Sequence, residues 1–579
     1  MTFDQAAIIG LLLLVLGVFA LDRWRIDIVA LAALAIAFLL GLVEGPAVFS
    51  GFSNPAVVTV LEILIITQVI ARSHVVDAIA HRLTARLSGT FALVAALCGI
   101  AVSLSAFMNN IGALALLMPV ALSACASSGV PPGRVLMPLS FATLLGGLCS
   151  LIGTPANLVI GNARSQVTGA AFAFFDYAYV GVPLALAGLC WLVVGWRLLG
   201  RRQTAPEHRA APRRTVALEV TVPARSPFAG LPLPALEAEA RLIVHGVFRN
   251  GLHVFARKAD VIIAADDLLM IEGDLDGVDT LIRTGGLTAA AGTLGSQPDE
   301  VRIEAVVMPQ STVIGSALGM ISAFRGHGVE IVAVSLQRRR LEGRLGEMAL
   351  SAGDVLVVAG REDAVAAALT ETDCLSLAPR ESAATGHPAR AAVLWFAAGI
   401  TLAASGLVPA EIAFGMVVLA LMFTGHLDLR KALAQTNWPV VVMLAAMIPV
   451  GGALQSTGAA DLIARSVLTQ AGGEPWLLVA GTLLTAIVVT PFLNNVSTAI
   501  ILAPIAASIA VQTGLPPEPF LMAVAIGAST DFLTPFGYHN NTIVMGPGGY
   551  RFIDYPRVGA PLTAIVLVLA PPLLIAFWL

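Results

Sequence analysis

Two neighbouring asparagines, Asn109 and Asn110, interrupt an apolar stretch, and a second pair, Asn494 and Asn495, does the same near the carboxyl end. An amide buried without a partner costs a few kcal/mol, so a packed neighbouring helix or a solute must satisfy these side chains. Asparagine suits a hairpin tip: it tolerates turn geometry and offers a carbonyl oxygen to a cation and an NH2 to an anion. Downstream of the first pair comes Gly153-Thr154-Pro155-Ala156-Asn157, and downstream of the second comes Gly537-Tyr538-His539-Asn540-Asn541. Gly and Pro unwind a spanning helix, freeing carbonyls that must face a cavity or an ion rather than lipid. Two amide-bearing tips and two broken helices make one site for a charged solute at the middle of a bilayer. Three ionisable side chains, Glu62, Asp531 and His539, also fall in apolar segments, where each is expensive. Asp531 and His539 flank the second broken helix and are the first choices for carrying protons. Glu62 either joins them, pairs with Arg72 or faces a water crevice. Asp176 and Asp554 read as anchors of helix starts.

Membrane helices must position these groups. The chain is 57% hydrophobic and 12% charged, with a mean hydropathy of +0.86, which excludes a soluble protein of this size. Apolar runs near the length of about 18 to 20 residues that a bilayer needs recur from 6–21 to 558–578. The first lacks a basic n-region and a small-residue cleavage site, and reads as a retained helix. A net charge of −4 leaves no basic field for nucleic acid. Five scattered cysteines show neither disulfide nor zinc spacing and read as small buried hydrophobes.

The chain repeats itself at an offset of roughly 384 residues. Besides the asparagine pairs, Pro119 returns as Pro504, Pro131-Pro132 as Pro516-Pro517, and Asp77 as Asp461; Asp176-Tyr177 with Gly181 matches Asp554-Tyr555 with Gly559 at a slightly shorter offset. Hydrophobicity collapses between the copies. The expected organisation is membrane repeat 1 (1–200), a basic linker (201–215), two small α+β units (216–295 and 300–375), a linker (376–390) and membrane repeat 2 (391–579). The Arg-rich edge of the insert, with Arg197, Arg201, Arg202, Arg213 and Arg214, places 200–390 in the cytoplasm by the positive-inside rule. With the segments around the asparagine pairs treated as re-entrant hairpins, each half crosses five times, an odd number, so the repeats are inverted. The stretches 73–87 and 458–470 read as helices lying in the interface plane. Within the insert, 241–247 parallels 328–334 and 267–273 parallels 354–360, an offset of 87 residues. Each copy reads as a helix followed by strands.

The membrane halves resemble the divalent-anion:sodium symporter family of sulfate and dicarboxylate transporters, on the paired hairpin motifs and Gly-Thr-Pro-Ala-Asn. The resemblance implies an all-α polytopic fold with inverted repeats, a homodimer in the cell inner membrane, and elevator-like displacement of the substrate. It also implies a small anion substrate and one cation site at Asn109, Asn110 and Gly153, with another at Asn494, Asn495 and Gly537. Thr154 and Pro155 would border the anion. The family's hairpin motif is Ser-Asn-Thr, whereas this chain has Asn-Asn-Ile and Asn-Asn-Val; the missing hydroxyls favour sulfate over a carboxylate and leave sodium and protons as rival coupling ions. The insert resembles tandem TrkA-C (RCK-C) domains, most closely at 351–360, which implies regulation by a small ligand, with a plain dimerisation module as the alternative. Transport rather than catalysis is expected, with no cofactor beyond the coupling ions. Carrying a dianion inward against about 150 mV costs roughly 7 kcal/mol, so more than two cations must accompany it before the potential assists uptake. The rivals are a cation transporter, although a channel would want a Thr-Val-Gly-Tyr-Gly-like filter, and a transporter-like membrane sensor.

Overall fold

The computed structural model describes residues 1–20, 24–72, 89–199, 215–254, 257–289, 300–308, 311–335, 343–377, 390–434, 436–471 and 474–579. The expected interface helix at 73–87, most of the basic linker and most of 376–390 lie outside the described residues. The first membrane portion carries α1 (Phe3–Ala20), α2 (Ile26–Leu39), α3 (Pro55–Arg72), α4 (Thr90–Ser105) and α5 (Asn110–Ser128). It continues with α6 (Leu136–Gly147), α7 (Pro155–Thr168) and α8 (Ala178–Gly195).

The insert opens with β1 (Thr215–Thr221), α9 (Leu233–Ala240), β2 (Ile243–Arg249), β3 (Leu252–His253), β4 (Leu268–Asp274), α10 (Leu275–Arg283) and β5 (Thr288–Ala289). Its second lobe is β6 (Glu300–Val307), α11 (Ser322–Gly326), β7 (Glu330–Ser335), β8 (Val355–Arg361), α12 (Glu362–Glu371) and β9 (Cys374–Ser376). One antiparallel sheet joins both lobes in the order β3-β2-β4-β1-β7-β8-β6-β9, with β5 beside β1. Each lobe begins with a strand, not with the helix expected from the sequence. These leading strands are central, β1 lying between β4 and β7 and β6 between β8 and β9, so their residues are held by pairing on two sides. The register slips at the same place in both lobes, between Val244 and Gly246 and between Ile331 and Ala333.

In the first lobe Asp267 is fully buried and accepts from Arg249 Nε and Nη2 and from the Ala264 backbone N–H, each at 2.7 Å. These bonds keep the guanidinium of Arg249 charged and raise its pKa. Asp267→Ala is expected to lower the stability of this lobe by about 2–3 kcal/mol, the loss of a charge-assisted cluster offset by the return of Arg249 to water. The measurement is the thermal midpoint of the insert in the full-length protein.

The second membrane portion holds α13 (Arg390–Ala404), α14 (Ala410–Phe423), α15 (Leu429–Ala434), α16 (Trp438–Ser456), α17 (Ala459–Ala471) and α18 (Pro475–Leu493). It ends with α19 (Asn495–Thr513), α20 (Glu518–Ala528), α21 (His539–Gly548) and α22 (Asp554–Trp578). Among the described residues, α5, α8, α16, α18, α19 and α22 are long and apolar enough to cross a membrane, with shorter apolar helices beside them. The chain is a polytopic membrane protein. One apolar core runs through both portions, and helices pair across them: α16 packs on α2, α14 on α3, α19 on α7 and α22 on α8. Trp191 of α8 donates to the Val558 carbonyl of α22 at 2.9 Å. Four of the cysteines are buried and Cys190 is exposed.

The asparagine pairs lie at reversals between packed helices, α4 turning into α5 and α18 into α19. At 19 residues, α5, α18 and α19 each extend about 28 Å, nearly the thickness of a hydrocarbon core. By length these arms match a full crossing, and each packs on its partner across the reversal.

Candidate functional site

The two residues of each asparagine pair do different work. Asn109 caps α5, its Oδ1 accepting from the Gly112 N–H at 2.6 Å, and Asn494 caps α19, accepting from the Ser497 N–H at 3.0 Å. Asn494 also takes φ +70° with ψ 163°, a positive-φ extended conformation otherwise left to glycine, which makes the reversal sharp. The second member of each pair, Asn110 or Asn495, begins its helix and reaches inward.

Inward, four helix starts meet. Asn495 Nδ2 donates to Thr154 Oγ1 at 2.9 Å and to the Tyr538 hydroxyl at 3.1 Å. Asn110 lies 2.6 Å from the same hydroxyl. With its amide turned so that the oxygen accepts from Tyr538, its NH2 donates to Ser105 Oγ at 2.7 Å, Thr143 O at 3.0 Å and Gly153 O at 3.3 Å. Thr154 and Tyr538 are the N-cap residues of α7 and α21, both in extended backbone. The hub therefore joins the N-termini of α5, α7, α19 and α21, each carrying about half a positive charge.

Asn157 and Asn541 satisfy the unwound segments. Asn157 Nδ2 donates to the Gly147 and Ser150 carbonyls at 3.0 and 2.8 Å, and Asn541 Nδ2 donates to the Asp531 and Thr534 carbonyls at 2.9 and 3.0 Å. The Tyr177 hydroxyl donates to Asn157 O at 2.8 Å, and the Tyr555 hydroxyl to Asn541 O at 2.6 Å. Asp176 and Asp554 accept from backbone N–H groups three residues upstream, those of Ala173 and Arg551. Asn540 Nδ2 ties α21 to the first hairpin through Asn110 O at 2.9 Å and Thr143 Oγ1 at 2.7 Å. Asn157 Oδ1, Asn540 Oδ1, Ser497 Oγ and Ser529 Oγ are buried without a hydrogen-bond partner among the described residues.

Close backbone approach sets the spacing. A Cβ on Gly147 would stand 2.5 Å from the Asn110 side-chain amide, and one on Gly153 would stand 2.6 Å from the Gly147 carbonyl oxygen. A Cβ on Gly537 would stand 2.5 Å from Pro491 Cα and run into the Asp531 carboxylate.

The expected site residues thus separate. Asn110, Thr154 and Asn495 form the hub, Gly153 and Gly537 pack around it, Asn109 and Asn494 cap, and Pro155 opens α7. Of the expected proton carriers, Asp531 is 1% exposed and accepts from Thr534 Oγ1 at 3.3 Å. His539 is exposed at the first turn of α21. Glu62 faces α14, where Gly415 gives it room, and its buried Oε2 has no hydrogen-bond partner among the described residues. Sequence reasoning does not single out Tyr538, Asn157, Asn540 and Asn541 as site builders. The signal is present in the downstream motifs, where Tyr538 occupies the place of Thr154 and Asn541 that of Asn157.

Similarity to known proteins agrees with this architecture. An uncharacterized transporter of Synechocystis sp. is 29% identical over 98% of this chain and 96% of its own length. An uncharacterized transporter of Escherichia coli is 28% identical over 98% and 99%. Sodium/sulfate cotransporter 2 of Chlamydomonas reinhardtii is 27% identical over 53% of this chain and 38% of its own length. The profile of the citrate transporter family matches residues 13–470 and 455–579. This polytopic protein is an anion transporter and belongs to the citrate transporter family.

Proposed function

We propose that the protein is a secondary transporter that moves a small divalent anion, sulfate first and a dicarboxylate second, with sodium as the coupling ion and the insert as a cytoplasmic regulator. One observation carries this reading: four helix N-termini, bearing Asn110, Thr154, Asn495 and Tyr538, converge on one point. Such ends favour an anion, and neutral amides and hydroxyls can donate to its oxygens without a fixed countercharge. The hydroxyls of Thr154 and Tyr538 supply donors that the Asn-Asn-Ile and Asn-Asn-Val tips lack. The sulfate named for the algal cotransporter fits a site of this polarity, while the family name supports a carboxylate as the second choice. Sodium is supported by Ser105 Oγ, Thr143 O and Gly153 O beside the hub: these oxygens bond the Asn110 NH2, and a cation would gather them together with the Asn110 oxygen once that amide turned over. The two membrane portions then act as inverted copies whose hairpin tips meet at mid-bilayer.

The test is uptake of radiolabelled sulfate into proteoliposomes under separate sodium and proton gradients, with citrate and succinate as competitors. Sulfate uptake driven by sodium is expected; potassium flux without anion flux would overturn the proposal, and anion binding without flux would favour a sensor. The buried carboxylate of Asp531 motivates proton coupling as the second reading. Under sodium coupling, Asp531→Asn retains sodium-driven uptake with the same dependence on external pH. Loss of the proton-driven component in this variant alone would assign the coupling to protons.

A further inference from the structure

The insert does not merely hang beside the membrane helices. Val306, Met308, Val355 and Leu377 of its second lobe are buried and belong to the same apolar core as the membrane portions, while the remaining core residues of the lobes pack within the sheet layers. β6 packs directly on α21, the helix whose N-cap is Tyr538. The turn before β8 makes the closest approach. Gly353 has a φ of +87°, and a Cβ there would stand 2.7 Å from the Thr542 carbonyl oxygen and 3.3 Å from its Cγ2. This turn is fixed to β6, with Gly353 N donating to Val307 O and Val307 N donating to Asp354 O, each at 2.9 Å. Ser351 N donates to the Asp354 carboxylate at 2.8 Å. A stiff tip therefore bears on Thr542, one helical turn beyond Tyr538, and Thr542 Oγ1 donates to Pro535 O of the unwound segment at 2.6 Å.

We infer that the second lobe is an autoinhibitory clamp on α21. While it is seated, α21 holds the Tyr538 hydroxyl between Asn110 and Asn495: that hydroxyl takes the Asn495 NH2 and gives its own proton to the Asn110 oxygen, so both donors are occupied by the protein itself. An anion needs those donors, so lifting the turn from Thr542 frees the site. Whatever acts on the insert, its effect reaches the hub through this contact. The inference rests on reading the hub as the transport site.

The experiment pairs amide hydrogen exchange with sulfate uptake on the same full-length protein in proteoliposomes. Gly353→Val places a branched side chain at positive φ and against the Thr542 carbonyl; Met308→Glu sets a charge in the apolar seat and serves if the first variant misfolds the lobe. Both are expected to speed exchange of 539–548 roughly tenfold, through easier local opening, and to raise the initial uptake rate about threefold or more by shifting the closed population. Faster exchange with unchanged or slower uptake overturns the clamp, as does unchanged exchange in both variants. If the unmodified protein takes up no sulfate under any gradient, the substrate assignment fails instead, and exchange alone decides whether the lobe holds α21.

Discussion

Asn495→Ala is expected to reduce initial anion uptake by roughly a hundredfold while leaving the protein folded. Its amide makes two of the hub's bonds, to Thr154 and Tyr538, and a hydrogen bond to an ionised partner is worth about 1.5–3 kcal/mol. A loss near 3 kcal/mol corresponds to about two orders of magnitude. Asn110→Ala should match it, since that residue meets the same hydroxyl from the other hairpin. Asn494→Ala is the informative contrast. It removes a helix cap worth about 1 kcal/mol, so it should lower the thermal midpoint by a few degrees and cost less than tenfold in uptake. Uptake rates of the three variants, beside their melting curves, check the division of labour; near-normal transport by Asn495→Ala would remove the hub from the mechanism.

Gly537→Ala should be almost as damaging, by a different route. The added methyl would meet Pro491 Cα at 2.5 Å and the Asp531 carboxylate, and neither can yield without moving the unwound segment or the second hairpin. Overpacking of this kind costs about 1–3 kcal/mol, and here the displaced atoms adjoin Tyr538. Uptake is expected to fall about tenfold or more, together with a lower thermal midpoint. Gly452→Ala on α16, where a Cβ meets nothing within 4 Å, should leave both unchanged. Equal behaviour of the two variants in uptake and melting would mean that close packing at Gly537 does not position the site.

Much of the site is legible in the sequence because the chain states it twice. The asparagine pairs and the Gly-Thr-Pro-Ala-Asn run stand out in hydrocarbon, where a polar residue needs a partner. What sequence cannot tell is which member of each pair points inward. Adjacent positions on a helix start differ by about 100° in direction, and only the backbone at 109 and 494 shows which residue caps. Tyr538 escapes notice because an aromatic in an apolar segment reads as packing, and its partner in the other copy is a threonine. The neighbours of Glu62 are beyond reach for another reason: Gly415 is a sequence-distant residue of the other membrane portion, and only tertiary packing of α3 on α14 brings them together. The strand that opens each insert lobe is hard to see because alternation is lost where both faces are covered: Val216, Ala217 and Leu218 in β1, and Ala305, Val306 and Val307 in β6, are successive residues that are all buried.

The four helix starts at the hub have a consequence for how the protein responds to acidity. Their attraction for an anion resides in peptide dipoles, and a peptide dipole has no proton to gain or lose across the physiological range. Anion capture at the proposed hub would therefore be indifferent to pH, and acid sensitivity in flux would report on the solute's own ionisation or on carboxylates of the chain such as Asp531.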